Sequence, residues 1–390
     1  MEKGKNGPAG KTGPNPVPRR CGSLPAIGSF YALYCAQKQA KRIGPGLGVA
    51  RREKTCILID RDLGGGKPLE LWTEPTQTWP VQQFLRSQGL EPDPEAEFTV
   101  SLRQDGRILA CGSLDGSVIK GMAVDPAFRG QGLAARLMTS LRQAAFRQGR
   151  RKLFVYTKPE NELLFRGLGF FPLATAGEAM LLENVRGGLQ AYLDNLDKHS
   201  GPCGAVVMNC APFTNGHRYL VEQAAGQCAW LYVFVLSEEK GMFSAAQRLD
   251  MVRRGCRAYA NVSVHPTDGY LISNATFPTY FLKDRWAGGE ISCQLDVEMF
   301  AGRFAPALDL KLRFLGTEPA DPVTRAYNET LKALLPPRGI GVQEIPRLTQ
   351  QGVPVSASRV RSALHAGRWA EVQALVPETT FDALTQQMGG

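Results

Sequence analysis

The sequence has few histidines and no cysteine pattern that would build a metal site or a disulfide framework. Its four histidines are scattered, and none of its nine cysteines forms a C-x-x-C pair. Zinc modules and small disulfide-stabilised domains both depend on such closely spaced ligands. The sequence therefore predicts neither kind of site, and the scattered thiols favour a reducing, cytoplasmic compartment.

Long hydrophobic runs are also missing. No segment reaches the roughly 18 consecutive apolar residues of a membrane-spanning helix. The apolar stretch at residues 24–35 is interrupted by Pro25, Gly28 and Ser29, and no clear small-residue cleavage site follows it, so it differs from a secretory signal. We expect neither export nor a membrane partner.

An excess of positive over negative charge is missing outside the first residues, although the formal net charge of the chain is +10. Residues 1–54 hold eleven Lys/Arg and two Asp/Glu, which leaves residues 55–390 almost neutral. The near-neutral charge of the folded part argues against a basic groove for nucleic acid, and no nucleic-acid partner is expected. Residues 1–67 are predicted to be a basic, largely disordered extension, because the first fifty or so residues hold too little apolar surface to fold alone.

The next segment, residues 68–184, has the pattern of a globular α+β domain. Residues 97–103 and 107–114 alternate like strands, and Asp105 and Gly106 between them predict a hairpin turn. A third strand at 117–124 leads into a glycine-containing loop that opens a helix with apolar residues four apart. The loop consists of Arg129, Gly130, Gln131, Gly132, Leu133 and Ala134.

This R-x-x-G-x-A loop resembles the pyrophosphate-binding loop of the GNAT acetyltransferase superfamily. A strand at 152–157 and the sequence Phe165-x-x-x-Gly169-Phe170 follow it, as at the end of such a domain. The resemblance implies that the six loop residues hold the pyrophosphate of a coenzyme-A-like group; a glycine-rich turn without a ligand is the alternative. Many catalytic members have a tyrosine where this chain has Phe165, so acetyl transfer by this domain is not expected.

A strand, a turn and a helix begin the C-terminal domain, residues 203–390, after a predicted connector at 185–202. The turn contains Thr214, Asn215, Gly216 and His217, at the point where a new helix presents free N–H groups. Gly216 lets an anion approach the backbone, while Thr214 and His217 can donate to a phosphate. The plain alternative is a surface histidine that caps a helix. Alternating strands and helices beyond the turn predict a doubly wound, Rossmann-like sheet, with the ligand at the carboxyl ends of its strands.

A second phosphate motif lies near the C-terminus. Residues 355–361 (VSASRVR) match the pattern I-S-x-[ST]-x-x-R that accompanies T-x-G-H in nucleotidyltransferases. Ser356, Ser358 and Arg361 would clamp the outer phosphates of ATP; the alternative is an ordinary serine-capped helix. The roles of three further sets of residues stay open. Residues 314–319 either face the nucleotide or only turn the chain, and the pattern of residues 273–283 favours core packing. Arg248 and Arg325 either contact phosphates or, as is usual on helices, face solvent.

Taken together, the two domains resemble the citrate lyase ligase family, also called citrate lyase synthetase. The resemblance rests on N-C-x-P-F-T-N-G-H-R-Y-L, A-T-F-P-T-Y-F-L-K, G-T-E-P and S-A-S-R-V-R in this order. It implies that ATP activates acetate as acetyl-AMP, and that the acetyl group passes to the thiol of the coenzyme-A-like prosthetic group on the acyl-carrier (gamma) subunit of citrate lyase. Mg²⁺ is expected with ATP, without a readable ligand set. The candidate catalytic residues are His217 and Thr214, and the candidate ATP-binding residues are Asn209, Gly216, Ser356, Ser358 and Arg361.

Two other functions stay open at this point. One is a bifunctional enzyme that joins a working GNAT acetyltransferase to a phosphopantetheine-type adenylyltransferase. The other is a nucleotide-sensing or scaffold protein with both sites degenerate, against which the intact phosphate motifs argue.

Overall fold

The computed structural model describes residues 55–60, 69–74, 78–93, 96–239, 241–271, 285–318 and 321–388. Residues 1–54 and residues 273–283, whose role the sequence left open, lie outside these ranges. All described residues belong to one compact unit. Within them, no helix combines the length and the apolar character that a membrane crossing requires.

The first domain is built on a mixed sheet with the spatial order β1-β2-β3-β4-β5-β6-β8-β7. Neighbouring strands are antiparallel except for β5 and β6, which are parallel. The predicted α+β character of this domain is thereby confirmed. Its elements are β1 (Thr55–Asp60), β2 (Leu69–Glu74), α1 (Trp79–Ser87), β3 (Phe98–Gln104), β4 (Arg107–Asp115), β5 (Val118–Val124), α2 (Leu133–Arg147), β6 (Phe154–Thr157), α3 (Glu162–Gly167), β7 (Phe171–Ala176) and β8 (Ala179–Glu183).

The hairpin between β3 and β4 forms where the sequence predicts it. Asp105 and Gly106 have φ angles of 50° and 76°. Two successive positive φ angles are the requirement of a tight type I′ turn, and an Asp-Gly pair meets it with little strain. Gln104 and Arg107 pair directly across this turn.

The second domain carries a parallel sheet in the order β11-β10-β9-β12-β13. Helix α4 (Gly188–Asp194) precedes it. The chain builds outward from β9 in both directions, so the strand order reverses there, and a ligand crevice is expected at the carboxyl end of β9. The predicted doubly wound sheet is confirmed. Its elements are β9 (Cys203–Met208), α5 (Asn215–Ala225), β10 (Trp230–Val235), α6 (Ala245–Cys256), β11 (Val262–Pro266), α7 (Arg285–Met299), a π-helical turn (Phe300–Phe304), α8 (Ala305–Leu308), β12 (Leu310–Gly316), α9 (Pro322–Leu334), β13 (Gly341–Ile345), β14 (Thr349–Gln350), β15 (Val353–Pro354), α10 (Ala357–His365), α11 (Trp369–Leu375) and α12 (Glu378–Met388).

One of the buried hydrophobic clusters contains residues of both domains, and it is called the shared core below. Phe154 of β6 lies in the same buried cluster as Tyr232 and Phe234 of β10. Helix α4 lies inside the predicted connector 185–202 and contributes Leu189 and Leu193 to this cluster. The segment is therefore a packed part of the core and not an extended linker. Strand β1 lies within residues 1–67 and pairs with β2, so the sheet begins earlier than the predicted domain boundary.

Candidate functional site

The turn after β9 carries both a helix cap and a candidate site. Thr214 is the N-cap of α5, and its hydroxyl accepts a hydrogen bond from the backbone N–H of His217 at 3.3 Å. In return, Nδ1 of His217 accepts from the backbone N–H of Thr214 at 3.0 Å. The capping role that the sequence offered as an alternative is therefore real. It uses only one nitrogen of the imidazole ring.

The cap fixes the proton of His217. Because Nδ1 accepts a hydrogen bond, the proton of the neutral ring lies on Nε2. Burial, and next the positive charge of Arg347, lower the pKa of His217 to about 4, so the ring is neutral at pH 7. Among the described residues, Nε2 makes no hydrogen bond. The turn thus offers a neutral N–H donor beside the N-terminus of α5, which is an arrangement suited to a phosphate oxygen.

Gly216 brings the two phosphate motifs together. A Cβ atom at this position would lie 2.8 Å from the carbonyl oxygen of Val355, the residue before Ser356. Real Cβ atoms do not approach a backbone oxygen so closely, so a side chain would push the second motif away from the turn. The sequence assigned this glycine to anion approach alone; close packing of the chain is a second reason for it.

Ser356, Ser358 and Arg361 lie beside this turn on helix α10. Ser356 caps the helix by accepting from the N–H of Arg359 at 3.2 Å. Arg361 donates from Nη1 to the carbonyl oxygen of Ala211 at 2.6 Å and from Nη2 to Oγ of Ser358 at 3.0 Å. The guanidinium therefore bridges both motifs. Its charge is thereby held at the edge of the candidate phosphate site.

Asn209 is oriented by an arginine that the sequence analysis did not assign to the site. Arg248, fully buried on α6, donates from Nη1 to both the carbonyl oxygen and Oδ1 of Asn209, and from Nη2 to the carbonyl oxygen of Glu238. With Oδ1 engaged, the side-chain NH₂ of exposed Asn209 is the group left for a ligand. The expectation of a solvated face is wrong for Arg248, whereas Arg325 is indeed exposed. The apolar residues Met251 and Val252, three and four positions later, were a signal that Arg248 faces inward.

Arg347 is a second residue that sequence reasoning missed. It lies near enough to His217 for its charge to lower the pKa of that ring. Its own partners are in the turn after β12: its backbone N–H donates to Oγ1 of Thr317 at 3.1 Å, its Nε donates to the carbonyl oxygen of Thr317 at 2.7 Å, and it forms an ion pair with Glu318. Thr317 and Glu318 thus stabilise the turn, which is one of the two roles that the sequence left open for residues 314–319.

The glycine loop of the first domain borders an open cleft of about 880 Å³. Gly130 and Gly132 have φ angles of 79° and 73°, and Gly132 is the N-cap of α2. The first N–H groups of a 15-residue helix therefore lie beside the cleft, as anion binding needs. The candidate residues that line it are Arg129, Gly130, Gly132, Leu133 and Ala134, whereas Gln131 is exposed and outside the lining.

Phe165 also lines this cleft and is buried. Its ring packs edge to face on Phe170, with centroids 6.2 Å apart. A phenyl ring has no proton to donate. At this position of the cleft, therefore, the chain offers packing and not acid catalysis.

The fold and the two candidate phosphate sites indicate the class: a nucleotidyltransferase-type α/β domain joined to a GNAT-type domain. Comparison with known proteins agrees. The chain matches the model of the acetyltransferase (GNAT) family over residues 68–170 and that of the citrate lyase ligase C-terminal domain over residues 203–384.

A citrate (pro-3S)-lyase ligase of Klebsiella pneumoniae is 42% identical over 328 residues, which cover 82% of this chain and 96% of that protein. The enzyme of the same name from Escherichia coli K12 is 39% identical over 315 residues, covering 78% of this chain and 89% of that protein. The chain belongs to the citrate lyase ligase family, whose members are acid–thiol ligases. Among solved structures, Thermotoga maritima TmcAL bound with alpha-thio ATP matches with a TM-score of 0.32 and 17% identity over 48% of this chain and 56% of that one.

Proposed function

We propose that this chain activates acetate with ATP and passes the acetyl group to the acyl-carrier subunit of citrate lyase. In the first half-reaction, an acetate oxygen attacks the α-phosphorus of ATP, acetyl-AMP forms and pyrophosphate leaves. In the second, the thiol sulfur of the coenzyme-A-like prosthetic group attacks the acetyl carbon. The bond from that carbon to the AMP oxygen breaks, and the proton of the thiol passes to the released AMP or to solvent.

One observation carries the first half: two motifs far apart in the sequence meet at the turn after β9, through Arg361 to Ala211 and Gly216 against Val355. His217 would donate from Nε2 to the α-phosphate, where charge develops as acetate attacks. Arg361 and Ser358 would hold the departing phosphates. The side-chain NH₂ of Asn209 is an additional donor for a phosphate or for acetate.

Mg²⁺ would arrive with the triphosphate. Magnesium is commonly bound through substrate phosphates and only one or two protein carboxylates. The described part of the chain contains no cluster of three metal-ligating side chains. The ion would neutralise the departing pyrophosphate. The protein itself would contribute the donors named above: His217, Arg361, Ser358 and Asn209.

The glycine loop supports the second half. It would hold the pyrophosphate of the prosthetic group while the rest of the arm lies in the cleft. Phe165 argues against acetyl transfer from acetyl-coenzyme A in the same cleft, since a phenyl ring at that position has no proton to give to a leaving thiolate. We place the enzyme in the cytoplasm, where ATP and reduced thiols are available.

Acetate-dependent exchange of labelled pyrophosphate into ATP tests the first half-reaction. Exchange that requires acetate supports the ligase, exchange that requires phosphopantetheine instead would favour the bifunctional alternative, and no exchange at all would favour a sensor or scaffold. Acetylation of free amines from acetyl-coenzyme A is expected to be absent.

Gly132→Asp tests the second half, with Gly132→Asn as its matched control. Both substitutions place an Asx side chain at the same positive φ, and a Cβ there meets nothing within 4 Å. Only aspartate adds a negative charge beside the pyrophosphate. Losing a charge-assisted contact costs roughly 1.5–3 kcal/mol, so the aspartate variant should need about tenfold or more carrier for acetyl transfer while pyrophosphate exchange is unchanged. Equal behaviour of the two variants would remove the loop from the reaction.

A further inference from the structure

Arg313 of β12 is a buried charge that is short of hydrogen-bond acceptors. Only 2% of the residue is exposed, and within the described part of the chain its Nε and Nη1 atoms are buried without an acceptor. The ring of Phe300 lies over the guanidinium, 4.6 Å from its carbon to the ring centroid. An aromatic face attracts the charge but does not take up the N–H groups that point outward in the guanidinium plane. A buried arginine in this state calls for an anion that completes it.

A tyrosine and a carboxylate lie close to this guanidinium. The hydroxyl of Tyr327, on α9, donates to Oδ2 of Asp296, on α7, at 2.6 Å. Burial raises the pKa of Tyr327 well above its usual range, Asp296 raises it further and Arg313 lowers it. The three side chains therefore form one polar group on the face of the sheet that carries the shared core. Asp296 reduces the cost of the buried charge from a distance, but it does not occupy Nε or Nη1.

This polar group lies near the edge where the ligand crevice is expected. Strand β12 is a direct neighbour of β9 in the sheet, and Arg313 pairs with Ala205, three residues before the end of β9. Asn328, the residue after Tyr327, donates to the carbonyl oxygen of Gly316, the last residue of β12, at 3.0 Å. Tyr327 is therefore level with the carboxyl edge of the sheet, and the guanidinium beside it is directed toward that edge.

A second path connects the polar group to the candidate ATP site. Burial, and then the carboxylates of Glu238 and Asp296, raise the pKa of Tyr156 well above the usual range. Asp296 and the Glu238 loop thus approach the same hydroxyl. The carbonyl oxygen of Glu238 is held by Arg248, which also holds Asn209 at the start of the nucleotide turn. Arg313 and Asn209 therefore belong to opposite ends of one continuous set of polar contacts.

We propose that Arg313 binds the carboxylate of acetate and presents it to the α-phosphate of ATP. This inference rests on the proposed function and adds the residue that holds the acid. Phe300 covers one face of the guanidinium, so the carboxylate would bind at the edge, in the plane of the N–H groups. One carboxylate oxygen would stay there while the other attacks phosphorus. The new phosphorus–oxygen bond forms as the bond to the departing pyrophosphate breaks.

The surroundings favour a short acid. Ala205, directly across from Arg313 in the sheet, is buried in the shared core and has only a methyl side chain, which leaves room beside the guanidinium. The remaining neighbours are large side chains of the packed core, such as Phe300 and Tyr327. The expected ligands are therefore small monocarboxylates, whereas acetamide, which has the same shape and no charge, should not bind.

Kinetics of acetate-dependent pyrophosphate exchange test this assignment with Arg313→Met, which keeps the length of the side chain and removes its charge. Losing the charge-assisted hydrogen bonds to the carboxylate should raise the KM for acetate at least tenfold and leave the KM for ATP unchanged. Arg313→Lys should restore little of the affinity for acetate, because one ammonium group cannot replace the planar fork. Arg303→Met is the matched control, since Arg303 is an exposed arginine of the adjacent π-helical turn, and both KM values should stay unchanged.

Thermal melting gives a measurement that does not depend on turnover. Wild-type protein is melted in sodium acetate, in sodium chloride of equal ionic strength and in chloride with acetamide, each with and without α,β-methylene-ATP. A ligand that binds only the folded state raises the melting temperature, so acetate should raise it by a few degrees and acetamide should not. Arg313→Met should lose the acetate response. A merely structural arginine would behave differently: its removal would lower the melting temperature in chloride and leave the response to acetate intact.

The outcomes separate this inference from the function on which it rests. An unchanged KM for acetate in folded Arg313→Met would overturn the carboxylate site and leave the ligase assignment standing. If the methionine variant does not fold, Arg313→Lys decides, because it keeps the charge and changes only the fork; a wild-type KM for acetate in it would overturn the site. If the wild-type chain shows no acetate-dependent exchange, the proposed function fails. An acetate response in melting that requires Arg313 would then still support the carboxylate site, and the lack of one would overturn it too.

Discussion

Gly216→Ala separates two roles of the glycine at the start of α5: the approach of an anion to the backbone and close packing on Val355. A Cβ at residue 216 would stand 2.8 Å from the carbonyl oxygen of Val355, and ordinary contacts begin at 3.4 Å, so the second motif must move by about 0.6 Å. Overpacking of this kind costs about 1–3 kcal/mol, whereas alanine in place of glycine in a helix gains about 0.5–1 kcal/mol. The expected net result is a loss of stability of up to about 2 kcal/mol.

The same movement should slow the reaction. Arg361 and Ser358 belong to the displaced segment, and a misplacement of 1 Å can cost about a hundredfold in rate. We therefore expect acetate-dependent pyrophosphate exchange to fall by roughly tenfold or more. Thermal melting and exchange are measured on the same preparation. Gly302→Ala is the control, since a Cβ there meets nothing within 4 Å and should leave both quantities unchanged or raise the melting temperature slightly.

The two measurements together decide between the explanations. If the glycine serves only the approach of an anion, Gly216→Ala should lose activity and gain stability, because alanine is the better helix residue. Packing against Val355 requires that both decline. A variant with wild-type exchange and a wild-type melting temperature would refute the reasoning altogether.

Three further outcomes are expected. His217→Ala should keep the fold and lower acetate-dependent exchange about a hundredfold, the scale of losing one positioned donor, and near-normal exchange would remove His217 from the reaction. The pKa of about 4 for folded His217, against an ordinary 6.5, means that its contribution to stability is complete above pH 6.5 and is lost as the pH falls toward 4. His217→Asn should therefore flatten the dependence of the melting temperature on pH in that range. Parallel dependences for the variant and the wild type would contradict this. Arg361→Ala should raise the KM for ATP, and lysine should not restore it because two Nη atoms reach two separate acceptors, so full rescue by lysine would exclude the bridging role.

Local patterns predicted the elements that carry the site. The apolar run, the polar turn and the amphipathic segment at residues 203–225 form β9, the turn with Thr214 and α5 in the structure. The Asp-Gly hairpin and the loop before α2 followed equally local rules. In each case the chemistry lies within a few consecutive residues, where propensity and spacing decide the conformation.

Contacts between distant segments were not predictable in this way. The spacing of Met251 and Val252 indicates that Arg248 faces inward, but it does not reveal its partners, the carbonyl oxygens of Asn209 and Glu238. Helix α4 has the composition of a linker, but Leu189 and Leu193 find partners on both sheets. These partners are brought together by tertiary packing, and the hydrophobic periodicity of one segment does not indicate which distant segment it contacts.

The shared core also sets the order in which the protein becomes stable during synthesis. Phe154 packs edge to face on Tyr270, more than a hundred residues later in the chain. A ribosome adds about 5–20 residues per second, so the apolar face of β6 stays exposed for on the order of ten seconds until Tyr270 has been synthesised. A polypeptide that stopped before β9 would carry that face uncovered and would tend to self-associate. A gene split at the boundary of the two halves is therefore expected to yield a first half that depends on the second, or on a chaperone, to stay in solution.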